Sequence, residues 1–232
     1  TLQPQARCLS KKDSNIWIGT DCGVSVYNKN SLFKTYNWSQ IMKTEENNNL
    51  ICLLRDSKNN YWLGGINGLG KYNDESKSSI WYRAGNYRHI LSRNKTRDVY
   101  EDRDGILWIC TDGSICHFDK QKNIFVQHLI EDSTHMRNAN WAYRILEDLN
   151  GNLWISSYAN GIFVANKQKL LQSDSSDIYL AEKHYELLGA KTLAMDKNGN
   201  IWTVLRNRLI KIISGSNKIL DVPYTNEDTS PL

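Results

Sequence analysis

Short apolar runs divided by polar turns fill this chain, and they come in groups of four. Residues 5–37 hold Ala6 to Ser10, Ile16 to Thr20, Val24 to Tyr27 and Leu32 to Tyr36, each of strand length, with Asn, Asp, Ser, Lys and Gly between them. Runs of four to seven residues bounded by turn formers predict a meander of antiparallel strands. The four-beat group returns at 49–84, 96–128, 141–182 and 190–224. In the fourth group the pattern places the last strand near Ile178 to Ala181, and in the fifth it places the first strand at Lys191 to Met195.

The second run of each group carries a tryptophan. Trp17, Trp62, Trp108, Trp154 and Trp202 follow one another at 45, 46, 46 and 48 residues. These runs are apolar on both sides of the tryptophan, as in Leu107-Trp108-Ile109 and Leu153-Trp154-Ile155. A strand covered on one face would alternate, so these strands expect cover on both. Four-stranded blades packed radially provide it, and a period of this size fits a blade. The expectation is an all-β chain: a β-propeller of four-stranded antiparallel blades, five of them visible, forming an arc of a larger propeller. An isolated blade would bury too little, so neighbours must supply most of the stability.

An Asp stands six residues before four of the tryptophans, at Asp56, Asp102, Asp148 and Asp196, while in the first group Lys11 takes that place and Asp13 is shifted into the turn. Asp-x-Asn-Gly and Asp-x-Asp-Gly invite a calcium reading. The spacing fails, because a calcium-binding EF-hand loop needs its Gly at the sixth position and a Glu at the twelfth. The turn itself explains the Asp, whose carboxylate can accept from its own backbone, with Gly taking a positive φ.

Composition changes this picture little. The 232 residues are 40% hydrophobic and 23% charged, with 12 Tyr, 8 Trp and a net charge of +4. The basic residues are interspersed with acidic ones, so no nucleic-acid face is expected. No apolar run is long enough to span a membrane. Thr1-Leu2-Gln3-Pro4 has no initiator Met and no apolar leader, so the chain reads as a mature or excised piece. The cysteines Cys8, Cys22, Cys52, Cys110 and Cys116 form no C-x-x-C pair. Cys110 and Cys116 flank a tight turn, and a bond between them is left open. The five histidines show no i, i+2 or i, i+4 pair, so neither a metal nor a cofactor is expected.

The repeat resembles the two-component regulator propeller repeat. The likeness rests on Trp17-Ile18-Gly19-Thr20 with Gly23-Val24 and Tyr27, on Trp62-Leu63-Gly64-Gly65 with Gly68-Leu69 and Tyr72, and on Asn150-Gly151-Asn152-Leu153-Trp154-Ile155 with Gly161-Ile162. Copy three has Cys110 in place of Gly, and copy five departs furthest, with Asn207 where Gly is usual. The resemblance implies propellers of about seven blades, often two in tandem. Such propellers form the periplasmic sensing region of hybrid two-component sensors, common in gut bacteria that degrade polysaccharides. It also implies partners in the parent chain: further blades, a transmembrane helix, a histidine kinase and an output domain. A second copy of the chain as partner is left open.

Within that frame the irregular connections 37–48, 84–96, 129–140 and 182–190 are where binding groups would gather. The candidates pair flat aromatics with forked or amide donors: Trp38, Tyr87, Arg88, His89, Arg137, Asn140, Trp141, Tyr158, Asn160 and Arg206, with Arg93 and Asn138 beside them. Sugars stack their CH faces on aromatic rings and bond their hydroxyls to such donors; an acidic sugar would also suit Arg. The expectation is a non-enzymatic sensor of an oligosaccharide. Two other classes stand beside it. A propeller lyase on a uronate or cyclic substrate would need a catalytic histidine, His89 or His135. A plain protein-interaction scaffold would need neither.

Overall fold

The computed structural model describes residues 5–12, 15–21, 23–28, 31–46, 49–85, 91–173, 176–216 and 218–223, with backbone alone at 11, 12, 28 and 31–34. Each group of four runs folds as one antiparallel sheet. Blade one is β1 (Ala6–Lys12), β2 (Asn15–Thr20), β3 (Gly23–Asn28) and β4 (Ser31–Asn37); after it comes a short helix, α1 (Trp38–Met42). Blade two is β5 (Leu50–Arg55), β6 (Asn60–Gly65), β7 (Gly68–Asn73) and β8 (Ser78–Tyr82). Blade three is β9 (Thr96–Glu101), β10 (Leu107–Thr111), β11 (Ile115–Asp119) and β12 (Ile124–Glu131). Blade four opens with β13 (Ala142–Glu147), β14 (Asn152–Ser157) and β15 (Gly161–Asn166), followed by α2 (Lys167–Gln172) and β16 (Ile178–Leu180), and closes with β17 (Lys183–Tyr185). Blade five is β18 (Ala194–Met195), β19 (Ile201–Leu205), β20 (Arg208–Ile212) and β21 (Ile219–Val222).

Two strands differ from the sequence reading. Ile178 to Leu180 does not close blade four. It adds as a fifth, parallel strand to β12, with Leu129 opposite Ile178, and Lys183 to Tyr185 closes blade four instead. Sheet partnership is a tertiary choice: a short alternating run suits either edge, and the connection through α2 is long enough to reach the neighbour. In blade five the first strand shrinks to two residues, Ala194 and Met195.

The first strands β1, β5, β9 and β13 lie side by side at the inner edge. Each of the four interfaces between successive blades holds its own apolar cluster. Trp62 and Trp108 are wholly buried, and each belongs to a cluster shared with the next blade. This two-sided cover is what the apolar second strands require, and β10 is buried at every position.

The recurring geometry of the turns explains the Asp. In blades two to five its Oδ1 accepts from the backbone N–H groups two and four residues on, as Asp148 does from Asn150 and Asn152, both at 2.9 Å. Its Oδ2 accepts from the tryptophan indole: Trp62 to Asp56, Trp108 to Asp102 and Trp154 to Asp148 at 2.9 Å, Trp202 to Asp196 at 3.0 Å. One carboxylate thus ties the turn to the inter-blade tryptophan. Gly105, Gly151 and Gly199 take positive φ at the fourth turn position, and Asn59 does so in blade two. In blade one, pairing of Lys11 with Ile16 matches that of Arg55 with Tyr61, so Lys12 holds the backbone place of the Asp.

A second link joins neighbouring turns. The Ser57 N–H and hydroxyl donate to Glu101 of the next blade at 2.6 and 2.8 Å, and the Arg103 N–H donates to Glu147 at 2.9 Å. Lys167, from the first turn of α2, places its ammonium 2.6 Å from Glu147 and Asp104 and 3.3 Å from Asp102. The Lys167 and Glu147 side chains are both 3% exposed.

Candidate functional site

The meander gives each blade two ends. One carries the Asp turns. The other, the loop end, carries the hairpins after the second strands and the connections to the next blade. On blades three to five the backbone sews the loop end together. The Trp141 N–H donates to the Asp112 carbonyl at 3.3 Å, the Tyr158 N–H to the Trp141 carbonyl at 3.2 Å, and the Gly189 N–H to the Tyr158 carbonyl at 2.9 Å. Trp141 has φ 55 and is 51% exposed, so this chain of bonds presents its ring outward.

Beside it, one repeat position, in β9, in β13 and just ahead of β18, supplies a row of charged and flat groups. Arg97, Tyr143 and Lys191 stand eleven residues before their tryptophans. The Arg97 guanidinium lies 4.1 Å from the Tyr143 ring centre and its Nε is 2.5 Å from Asp112. Lys191 sits 4.8 Å from the Tyr158 ring centre and 6.0 Å from that of Tyr143, and the two tyrosines are 5.6 Å apart. Cation over aromatic face is attractive. Below, Arg144 meets Asp98 at 2.6 Å, and the Ile145 N–H donates to the other Asp98 oxygen at 3.1 Å. Burial pushes the Asp98 carboxyl up, against the pull of Arg144 and its N–H donors.

A cleft of about 610 Å³ opens between blades four and five next to this row. Tyr158, Leu188, Lys191, Thr192, Val204 and Arg206 line it. Ligand pockets span about 300–1,000 Å³. The cleft offers an exposed tyrosine face, an ammonium and a guanidinium, with no carboxylate in its lining.

Of the residues singled out from sequence, Tyr158 and Arg206 share this cleft, and Trp141 is bonded to Tyr158 through the backbone. Asn140 and Asn160 join a neighbouring loop cluster. The Asn160 amide donates to the Asn138 carbonyl at 2.8 Å, the Asn140 N–H donates to the Asn138 side chain at 3.2 Å, and Ser157 donates to the Asn140 carbonyl at 2.6 Å. Arg137 flanks that cluster, where its carbonyl accepts from the Asp132 N–H at 2.9 Å. Trp38 is elsewhere: it is wholly buried at the interface of blades one and two, edge-on to Trp81 at 5.6 Å, and so packs instead of lining a surface. Tyr87, Arg88 and His89 lie outside the described residues. Arg97, Tyr143 and Lys191 were not among the sequence candidates, because the pattern places them in strands and not in loops; Lys191 in fact precedes β18. Their fixed offset from the tryptophan is the signal that could have found them.

Other candidate chemistry settles into structure. Cys8, Cys52, Cys110 and Cys116 are free thiols, and burial pushes Cys110 and Cys116 up. His117 and His128, on adjacent strands, approach to 2.7 Å; burial drives His128 down to about 3, so the pair is uncharged at neutral pH. His135 is an exposed partner of Glu131 at 2.8 Å. Among the described residues no group of three or more metal-ligating side chains converges.

A family model described as the two component regulator propeller matches residues 90–113. No curated protein matches the sequence at a significant level. Among solved structures, the extracellular domain of a protein described as a hybrid two component system, BT4673 from B. thetaiotaomicron, is 31% identical with a TM-score of 0.74, over 94% of this chain and 37% of that one. The corresponding domain of BT3049 from the same organism is 18% identical with a TM-score of 0.75, over 93% of this chain and 29% of that one. A catalytically inactive virginiamycin B lyase from Staphylococcus aureus is 14% identical with a TM-score of 0.70, over 96% and 72% of the two chains, a likeness of fold alone. This chain therefore spans 37% and 29% of the two extracellular domains it resembles. The family match over residues 90–113 and the likeness to the extracellular domain of BT4673 show what this five-bladed chain is similar to: the two-component regulator propellers.

Proposed function

We propose that this chain is part of the extracytoplasmic sensing region of a two-component signalling receptor, and that its loop-end cleft binds an oligosaccharide carrying an acidic group. The sensing role is supported by the likeness to extracellular domains of two-component systems. Kinase, membrane span and further blades would belong to the rest of the parent chain; among the described residues no helix is long and apolar enough to cross a membrane.

The observation that carries the ligand class is the row of Arg97, Tyr143, Lys191 and Tyr158 against the cleft that Arg206 closes. Tyr158 supplies a flat face for a sugar ring. Lys191 and Arg206 supply charge-assisted donors for a carboxylate or sulfate. Trp141, Asn140, Asn160 and Arg137 would meet a longer chain running over blades three and four. Binding signals only if it favours one arrangement of the receptor over another.

Isothermal titration of the chain against neutral and acidic plant and host glycan fragments tests this. An acidic fragment should bind with roughly micromolar affinity, and Lys191→Ala or Tyr158→Ala should weaken it at least about tenfold. Silence across the panel, or binding untouched by either substitution, would refute the site. Unsaturated product appearing with turnover would instead support a lyase.

A further inference from the structure

We propose, taking the loop-end cleft as the glycan site, that blade two extends it with an apolar subsite for a methyl-bearing group of the glycan, a 6-deoxy sugar or an O-acetyl ester. The row along the loop end is built from pairs. In blades three and four an extra residue bulges from the start of the first strand: Arg97 between Thr96 and Asp98, Tyr143 between Ala142 and Arg144. Such bulges re-aim a side chain. Fifteen residues later comes the first residue beyond the second strand, Asp112 in one blade and Tyr158 in the other. The members of each pair meet: Arg97 bonds Asp112 at 2.5 Å, and the Tyr143 and Tyr158 rings lie 5.6 Å apart. Lys191 and Arg206 have the same spacing in blade five, where Arg206 is the first residue beyond β19 and both line the cleft.

Blade two makes the same pair from isoleucines. Ile51 is the extra residue between Leu50 and Cys52, and Ile66, fifteen residues on, is the first beyond β6. The Ile66 N–H donates to the Asn49 carbonyl at 3.2 Å. It is the bond that Tyr158 makes to Trp141 in blade four, and in both blades the acceptor stands two residues ahead of the bulge. Register and this bond put Ile51 and Ile66 in the places of Tyr143 and Tyr158. β5 lies beside β9, so the isoleucines are the next pair along the row from Arg97 and Asp112. Ile66 is 41% exposed.

The chemistry of the pairs changes from blade to blade: two cations at blade five, two rings at blade four, an ion pair at blade three, two aliphatic side chains at blade two. A ligand that sets its acidic group on Lys191 and Arg206 and a ring on Tyr158 meets Arg97 and Asp112 next, a donor and an acceptor suited to sugar hydroxyls. Over Ile51 and Ile66 a hydroxyl would give up water and find no side chain to bond, which disfavours it. A methyl group in that place takes apolar surface of both ligand and protein out of water. A 6-deoxy sugar and an acetyl ester share that methyl.

The test is isothermal titration of the chain with three acidic tetrasaccharides: tetragalacturonate, its O-acetylated form, and one alternating galacturonate with rhamnose, a 6-deoxy sugar. At least one methyl-bearing probe should bind about threefold or more tighter than tetragalacturonate. Ile66→Ser should abolish that advantage and leave the affinity for tetragalacturonate unchanged, which also shows that the variant is folded. Lys191→Ala should weaken all three. A gain with the acetylated probe alone would identify an ester, and with the rhamnose probe alone a 6-deoxy sugar. Equal affinity for the three, or a gain that survives Ile66→Ser, would overturn the apolar subsite and leave the acidic-glycan reading standing. Silence with all three would overturn both.

Discussion

A carboxylate that is both a turn cap and a tryptophan acceptor concentrates much of each blade's definition in one residue. Asp56 accepts from the N–H groups of Lys58 and Asn60 at 2.9 and 2.8 Å and from the Trp62 indole at 2.9 Å. Burial alone would push its carboxyl up, but these donors outweigh that and hold it below the usual range. Asp56→Ala leaves a buried indole and two turn N–H groups without their acceptor, at a cost of about 2–3 kcal/mol in denaturant unfolding at pH 7. Because its folded pKa lies below the unfolded value of about 4, the stability it contributes is present above that value and lost as pH falls through the folded one. The acid slope of stability should therefore be flatter in Asp56→Ala than in the parent. An unchanged midpoint at pH 7 would show that water replaces the carboxylate without cost.

Strands make the blades, but the excursion between β15 and β17 fastens two of them together. Its helix brings Lys167 into three carboxylates, Asp102 and Asp104 of blade three and Glu147 of blade four. Removing one partner of a buried ionic group strands the rest, which typically costs about 3–5 kcal/mol. Lys167→Met should lower stability by that order, while Glu147→Gln in the Lys167→Met background should recover part of it. A double-mutant cycle in thermal or denaturant unfolding reads both, and additive losses would show that the groups do not act together. The strand beyond the helix, β16, also explains where pattern reading stops: Ile178-Tyr179-Leu180 has the alternation of a strand, but alternation carries no address.

Across the molecule, stability resides between blades. The cluster at the last interface contains Leu146, Trp154 and Ile162 of blade four and Ile201 and Ile212 of blade five. Ending the chain at residue 190 would uncover the blade-four half of it. The truncated chain should unfold at lower denaturant concentration and expose apolar surface to a hydrophobic dye, as nearest-neighbour stabilisation requires. An unshifted midpoint would mean that blade five docks without stabilising blade four.

The architecture was legible because it is repeated. Five tryptophans in phase, two-sided apolar strands and turn residues at fixed offsets determine four-stranded blades, since local propensity and period agree in every copy. The site was legible only in part. Tyr158 and Arg206 were visible as loop residues, but Arg97, Tyr143 and Lys191 look like ordinary strand positions. Trp38 looks like a loop aromatic and is core. The sequence by itself determined what recurs: blade, turn and tryptophan. Tertiary structure alone decided which copy's neighbour fills a gap and which sheet receives β16, because each of these depends on what two distant segments leave between them.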